Sequence, residues 1–273
     1  MGPRLKKKYK QLLDRYFLVI IMFGMGCTND QHEVKEYYPN GNLFYLGFIK
    51  DNLEEGTWTY WYENGQKEEK GDYKQGKKEG LWKYWFEGGG LRKKASYEEG
   101  LHDGAYEEYH SNGQIKETGF FTDGQKDSQW CQWSKGGKLL AKVNFRKGLF
   151  HGEMKSFYET GSISAYGIYK EGKMDSLWTS WYSNGNMAMV LKVEKGQQLF
   201  LSIWDSLGNY QVENGEGTFY YPVQGEKGIV KGQIKQMKPI GKWQYYDDHA
   251  NLVAEDSLIY SLIKFPSIES FKK

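Results

Sequence analysis

The chain has 273 residues, with 37 Lys and Arg against 35 Asp and Glu, 17% aromatic residues and 34 glycines. Only five prolines argue against a disordered Gly/Pro-rich chain, and Tyr and Trp set between Gly and Asn suggest strands joined by tight turns. The formal net charge of +2 is unevenly placed, which decides what it says about partners.

The first segment is basic and then apolar. Arg4, Lys6, Lys7, Lys8, Lys10 and Arg15 stand with one acid, Asp14, ahead of FLVIIMFGMG (17–26) and Cys27. A basic head, about ten apolar residues and a small residue at the cut make the layout of a secretory signal. The run is half the roughly 20 residues that a membrane-spanning helix needs. With Cys27 at its end, the stretch resembles a bacterial lipoprotein signal, in which the cysteine becomes the first mature residue and carries diacylglycerol plus an acyl group. Gly24 stands where that pattern prefers Leu. An uncleaved anchor and an apolar run without a role are the competing readings.

The lipoprotein reading gives a signal peptide at 1–26, lipid attachment at Cys27 and a lipidated linker at 27–33. It implies a membrane-anchored protein of the bacterial cell envelope, with the outer membrane favoured over the inner. Without residues 1–26 the balance is 31 basic against 34 acidic residues, a net −3. The apparent basicity belongs to the signal, and no nucleic-acid footprint remains. With Cys27 acylated, Cys131 has no intramolecular partner, so no disulfide framework is expected.

From residue 34 the sequence repeats. Gly41, Gly65, Gly89, Gly113, Gly137, Gly161 and Gly185 follow one another in steps of 24. Gly76, Gly100, Gly124, Gly148, Gly172 and Gly196 form a second column, and Gly56, Gly80, Gly104, Ser128, Gly152 and Ser176 a third. Two aromatic columns keep the same step: Trp58, Trp82, Tyr106, Trp130, Met154 and Trp178, then Trp61, Trp85, Tyr109, Trp133, Phe157 and Trp181. So many aligned columns define a tandem array with a 24-residue unit.

Each unit reads as a β-hairpin, with Asn-Gly at 40–41, 64–65, 112–113 and 184–185 signalling type I′ turns. The array covers 34–255 in about nine units and loses register at 197–240. It recovers at Gly241, with Trp243 in the Trp58 column. A C-terminal cap is expected at 256–273, where Leu258, Ile259, Leu262 and Ile263 have helical spacing.

The phrase YWYENGQKEEKGDYKQGKKEGLWKYW resembles the bacterial variant of the MORN repeat: Tyr-x-x-Asn-Gly, then Gly-x-Tyr, then Gly-x-x-x-Gly-x-Trp-x-x-Tyr. The resemblance covers about residues 34 to 255. It implies an all-β fold, an elongated, twisted antiparallel meander of hairpins.

The Trp58 and Trp61 columns are read as core, since a thin meander has little else to bury. The next column, Tyr62, Phe86, His110, Ser134, Tyr158 and Tyr182, is less uniform, and some of its members are expected to be exposed. The acidic column Glu55, Glu79, Asp103, Asp127 and Asp175, with His151 among them, suggests solvated turn acids. Equivalent positions about 10 Å apart cannot share a cation.

His32, His102, His110, His151 and His249 are scattered without zinc-ligand spacing, and no nucleophile elbow or P-loop occurs. Catalytic residues, metals and cofactors are therefore not expected. The expected function is a non-enzymatic, lipid-anchored scaffold that offers an extended β-surface to a protein partner. Proteins of this resemblance are also catalogued as antitoxin components, which makes a toxin–antitoxin or immunity role one alternative. Binding of envelope lipid headgroups by the sheet is another.

Overall fold

The computed structural model describes residues 31–222 and 228–257. The signal peptide, Cys27 and nearly all of the C-terminal cap lie outside the described residues. The chain forms two units, dividing between Gln125 and Lys126. The first contains β1 (His32–Tyr37), β2 (Leu43–Lys50), β3 (Leu53–Trp61), β4 (Lys67–Lys74), β5 (Lys77–Trp85), β6 (Leu91–Glu98), β7 (Leu101–Tyr109) and β8 (Ile115–Thr122). The second runs through β9 (Gln125–Trp133), β10 (Leu139–Arg146), β11 (Leu149–Phe157), β12 (Ile163–Lys170), β13 (Lys173–Trp181) and β14 (Met187–Glu194). It continues with β15 (Gln197–Trp204), β16 (Tyr210–Glu213), β17 (Glu216–Pro222), β18 (Gly228–Lys235), β19 (Lys238–Asp247) and β20 (Leu252–Asp256).

Within each unit every strand pairs antiparallel with its neighbours in sequence, as a meander, and no helix occurs among the described residues. The fold is all-β.

The type I′ turns do not fall at Asn-Gly. At 38–42 the Gly41 N–H bonds to the Tyr38 carbonyl and the Tyr38 N–H to the Asn42 carbonyl; Gly41 alone takes positive φ (88°). This is a type I turn closed by a left-handed glycine. Asn40 keeps negative φ because its side chain accepts the Asn42 N–H (2.9 Å), a local bond that holds the turn. The two-residue I′ turns lie instead at the second glycine column. Gln75 and Gly76 have φ of 49° and 75°, and Glu99, Asp123, Lys147, Glu171 and Lys195 repeat the pattern before their glycines.

The third column is a bulge. Between the pairs Lys70–Lys83 and Asp72–Glu79, β4 supplies only Gly71 while β5 supplies Gly80, Leu81 and Trp82. The surplus residues twist β5 and lay the Trp82 ring over Gly71. A Cβ at Gly71 would overlap that ring, and the same holds for Gly47 under Trp58, Gly167 under Trp178 and Gly232 under Trp243. Where the overlying side chain is smaller, the partner grows: Ala95 pairs with Tyr106 and Val143 with Met154. This interlock builds the core, and Trp58, Trp82, Trp130, Trp178 and Trp243 are 0–1% exposed.

The degenerate stretch is knitted differently. Phe200 N–H bonds to the Met237 carbonyl, Met237 N–H to Gly215 and Gly215 N–H to Leu201, so β15, the β16–β17 turn and the β18–β19 turn hold one another directly.

Candidate functional site

Most of the conspicuous side chains hold repeats together. At one end of the hairpins in each unit, the Tyr38 hydroxyl donates to the Trp61 carbonyl (2.8 Å), and Tyr62, Tyr158 and Tyr182 do the same to Trp85, Trp181 and Trp204. The Asn40, Asn64 and Asn184 amides donate to carbonyls of the following repeat. Burial, with Glu68 and Glu63 nearby, pushes the Tyr38 phenol up to about 12, so it remains a donor at any ordinary pH. The column that begins at Tyr62 is thus a partly buried tie between repeats. Its tyrosine pattern is broken by Phe86, His110 and Ser134.

At the other end of the hairpins the acidic column is a tie rather than a set of solvated charges. Glu55 accepts the Gln75 N–H (2.9 Å), Asp103 accepts that of Asp123 (3.0 Å) and Glu79 that of Glu99 (3.3 Å), so each carboxylate caps a left-handed residue of the next I′ turn. Sequence columns pointed to these acids but not to their partners, which lie 20 residues on.

The bulge residue changes the pattern. With Gly56 and Gly80, the Trp58 and Trp82 indole N–H groups donate to Phe48 and Asp72 on the preceding strand. With Ser128 and Ser176, held at φ of 57° and 59°, Trp130 and Trp178 donate to Asp127 and Asp175 on their own strand. These two acids turn back onto their neighbouring serines. The second aromatic column, Trp61, Trp85, Tyr109, Trp133 and Trp181, is half-buried. Glycines 41, 65, 89, 113, 137, 161 and 185 all adopt positive φ at turns.

On the tryptophan face of the first unit, rings follow one another across strands. Trp58, Tyr73, Trp82, Tyr97, His102 and Phe121 are linked by centroid separations of 4.3–6.4 Å. A hydrogen-bonded chain threads them. His102 Nε2 meets the Tyr97 hydroxyl (3.3 Å), Tyr97 meets Tyr84 (2.9 Å), Lys78 Nζ donates to Tyr84 (2.9 Å), and the same ammonium donates to Glu69 (3.1 Å). The ammonium also lies 3.6 Å from the Trp82 ring centroid, a cation–π contact. Lys78 and Glu69 are 18% and 3% exposed, a buried ion pair that sequence columns did not single out.

The opposite face carries Lys70, Lys83 and Lys94 directly across from one another on β4, β5 and β6. Lys94 pairs with Glu107 (2.9 Å), whose carboxyl is held down by Tyr109 and by Lys94. Leu81 and Phe120 are exposed on the same face. In the second unit Cys131 lies opposite Lys142, and burial raises its thiol pKa.

Among the described residues, one trio, Asp247, Asp248 and His249, brings possible ligand atoms within 4.8 Å of one another. Asp247 is already occupied, accepting the His249 and Asn251 N–H groups as a turn acid. No described helix is long and apolar enough to cross a membrane.

The geometry defines the class: an antiparallel β-hairpin repeat sheet whose units interlock through Trp and Gly. Five stretches of the chain, residues 33–51, 54–75, 78–99, 103–123 and 150–171, match the model of the MORN repeat variant. No curated protein matches the chain. Among solved structures it resembles TcdB2–TccC3 without its hypervariable C-terminal region, at 10% identity and a TM-score of 0.21, over 83% of this chain and 17% of that one. The Photorhabdus luminescens Tc holotoxin pore with a TccC3 point mutation aligns at 13% identity and a TM-score of 0.18, over 83% of this chain and 12% of that one. This chain therefore spans under a fifth of either.

Proposed function

We propose that this protein is a non-enzymatic repeat scaffold, tethered to a bacterial membrane through lipid on Cys27, that presents the face opposite its Trp58 column to a protein partner. The supporting observation is a division of labour. The Trp58, turn Asn, turn acid and Tyr columns are used in joining repeats, while Lys70, Lys83, Leu81 and Phe120 stand exposed on the other face, which also carries the half-buried Trp61 column. Repeat arrays make continuous surfaces of this kind, suited to protein partners. The reading adds to the MORN repeat sheet both an anchor and an interaction role.

The test places a photo-crosslinking residue at Lys83, or at Tyr60 on the tryptophan face, in membrane-fractionated protein from a bacterial host. The expected result is a discrete crosslinked partner from position 83 and not from 60, with an N-terminal peptide that begins at an acylated Cys27. Equal crosslinking from both faces would overturn the interaction face. An intact Met1 terminus would overturn the anchor.

A further inference from the structure

His102 on β7 and Phe150 on β11 lie 48 residues apart, two repeats, and occupy the same place in the hairpin. His102 is stacked between Tyr97 (4.3 Å) and Phe121 (4.8 Å); Phe150 lies between Phe145 (4.7 Å) and Tyr169 (5.0 Å). The fold therefore accepts an apolar ring at this place, yet the first unit holds an imidazole there. His102 Nδ1 is buried without a well-formed hydrogen bond, and Nε2 meets only the Tyr97 hydroxyl.

We propose that His102 makes the first unit acid-sensitive: its protonation loosens the β6–β7 hairpin while the second unit, with Phe150 in the same position, stays closed.

The charges around the ring oppose its protonation. Lys93 on β6 and Lys78 on β5 are the cations that face it, and the Tyr97 and Tyr84 hydroxyls connect it to Lys78. Glu69 on β4 is engaged by Lys78, and Glu108 on β7 by Lys116. Glu117 on β8 is buried beside Tyr106. Burial first, then Lys93 and Lys78, pull the imidazole down to about 4 from an ordinary 6.5, and the Ser96 backbone offsets only part of this.

A ring with a depressed pKa binds fewer protons in the closed hairpin than in the open one between those two values. Stability is therefore fully present above pH 6.5 and falls as the pH drops toward 4. A shift of this size raises the open population by about 30-fold at pH 5 and by roughly 300-fold at the acid limit.

The test is hydrogen exchange of the full chain at pH 7.5 and pH 5.0, corrected for intrinsic exchange, for the native protein and for His102→Phe. Protection in β6 and β7 is expected to fall by about 30-fold in the native chain, with β10–β12 unchanged and the response absent in His102→Phe. An equal loss in His102→Phe, an equal loss across β10–β12, or no loss in the native chain would each overturn the proposal. A parallel NMR titration needs no variant to fold. A His102 imidazole pKa near 4 supports the mechanism, and one near 6.5 overturns it.

Discussion

The two units share one frame and fill it differently. In the first, the inward positions of successive strands hold Glu69, Lys78, Tyr84, Tyr97 and His102, linked by hydrogen bonds. In the second, Ala141 stands three repeats on from Glu69, and Lys126, Gln132, Phe145 and Phe150 stand two repeats on from Lys78, Tyr84, Tyr97 and His102. The second core becomes largely apolar beyond β9, with Val143, Met154, Ala165, Leu191 and Ile203 buried. What recurs in both is the overlap of a Trp ring on a glycine, at Gly47 and Gly71 in the first and at Gly167 and Gly232 in the second, and the two rows of edge ties. The frame is therefore carried by the interlock and the turns, and the positions between the rings are free to carry ionisable groups.

That comparison can be broken most sharply at the buried ion pair. Glu69→Ala removes the carboxylate that Lys78 meets at 3.1 Å while the ammonium stays part-buried, so a loss of about 3 kcal/mol is expected in denaturant unfolding. Replacing both, Glu69→Ala with Lys78→Met, is expected to recover most of it, since the second unit folds with Ala141 at the corresponding place. If the double variant is as unstable as the single one, the polar core of the first unit is not interchangeable with the apolar one.

The shared element is tested next. Gly71→Ala and Gly167→Ala drive a methyl into the Trp82 and Trp178 rings and are expected to destabilise by about 1–3 kcal/mol each. Adding Trp82→Tyr to Gly71→Ala imitates the native Ala95–Tyr106 pair, and partial recovery in thermal unfolding is the expected outcome.

The smallest effect belongs to the edge. Tyr62→Phe removes the hydroxyl that donates to the Trp85 carbonyl, with an expected loss of about 1 kcal/mol. Phe86→Tyr, one repeat later, is expected to add a tie and gain a comparable or smaller amount. Tryptophan fluorescence in urea reads both changes.

Much of this was legible in the sequence, because the repeat period places every equivalent residue at a fixed step. The turn glycines and the tryptophan column needed no coordinates. The column Gly47, Gly71, Gly167 and Gly232 escaped attention because Ala95, Val143 and Leu191 interrupt it. Its meaning appears only when each member is set against the ring 11 residues later. The turn type differs from the expectation because Asn-Gly is favoured in I′ turns in general, while here the Asn side chain captures the amide two residues on and keeps its own φ negative. The acids were assigned to solvent because columns reveal which residues are equivalent and not which backbone groups they reach.

One feature of the second unit limits how far an opening can travel. In regular repeats the Tyr and acid ties reach one period ahead, so a breach at one hairpin exposes the next, and opening advances as a front. The contacts among Phe200, Leu201, Gly215 and Met237 join three hairpins at once. A front that enters there must break all of them together. An opening that begins in β9–β14 is therefore expected to halt at β15, where Phe200 and Leu201 make these bonds.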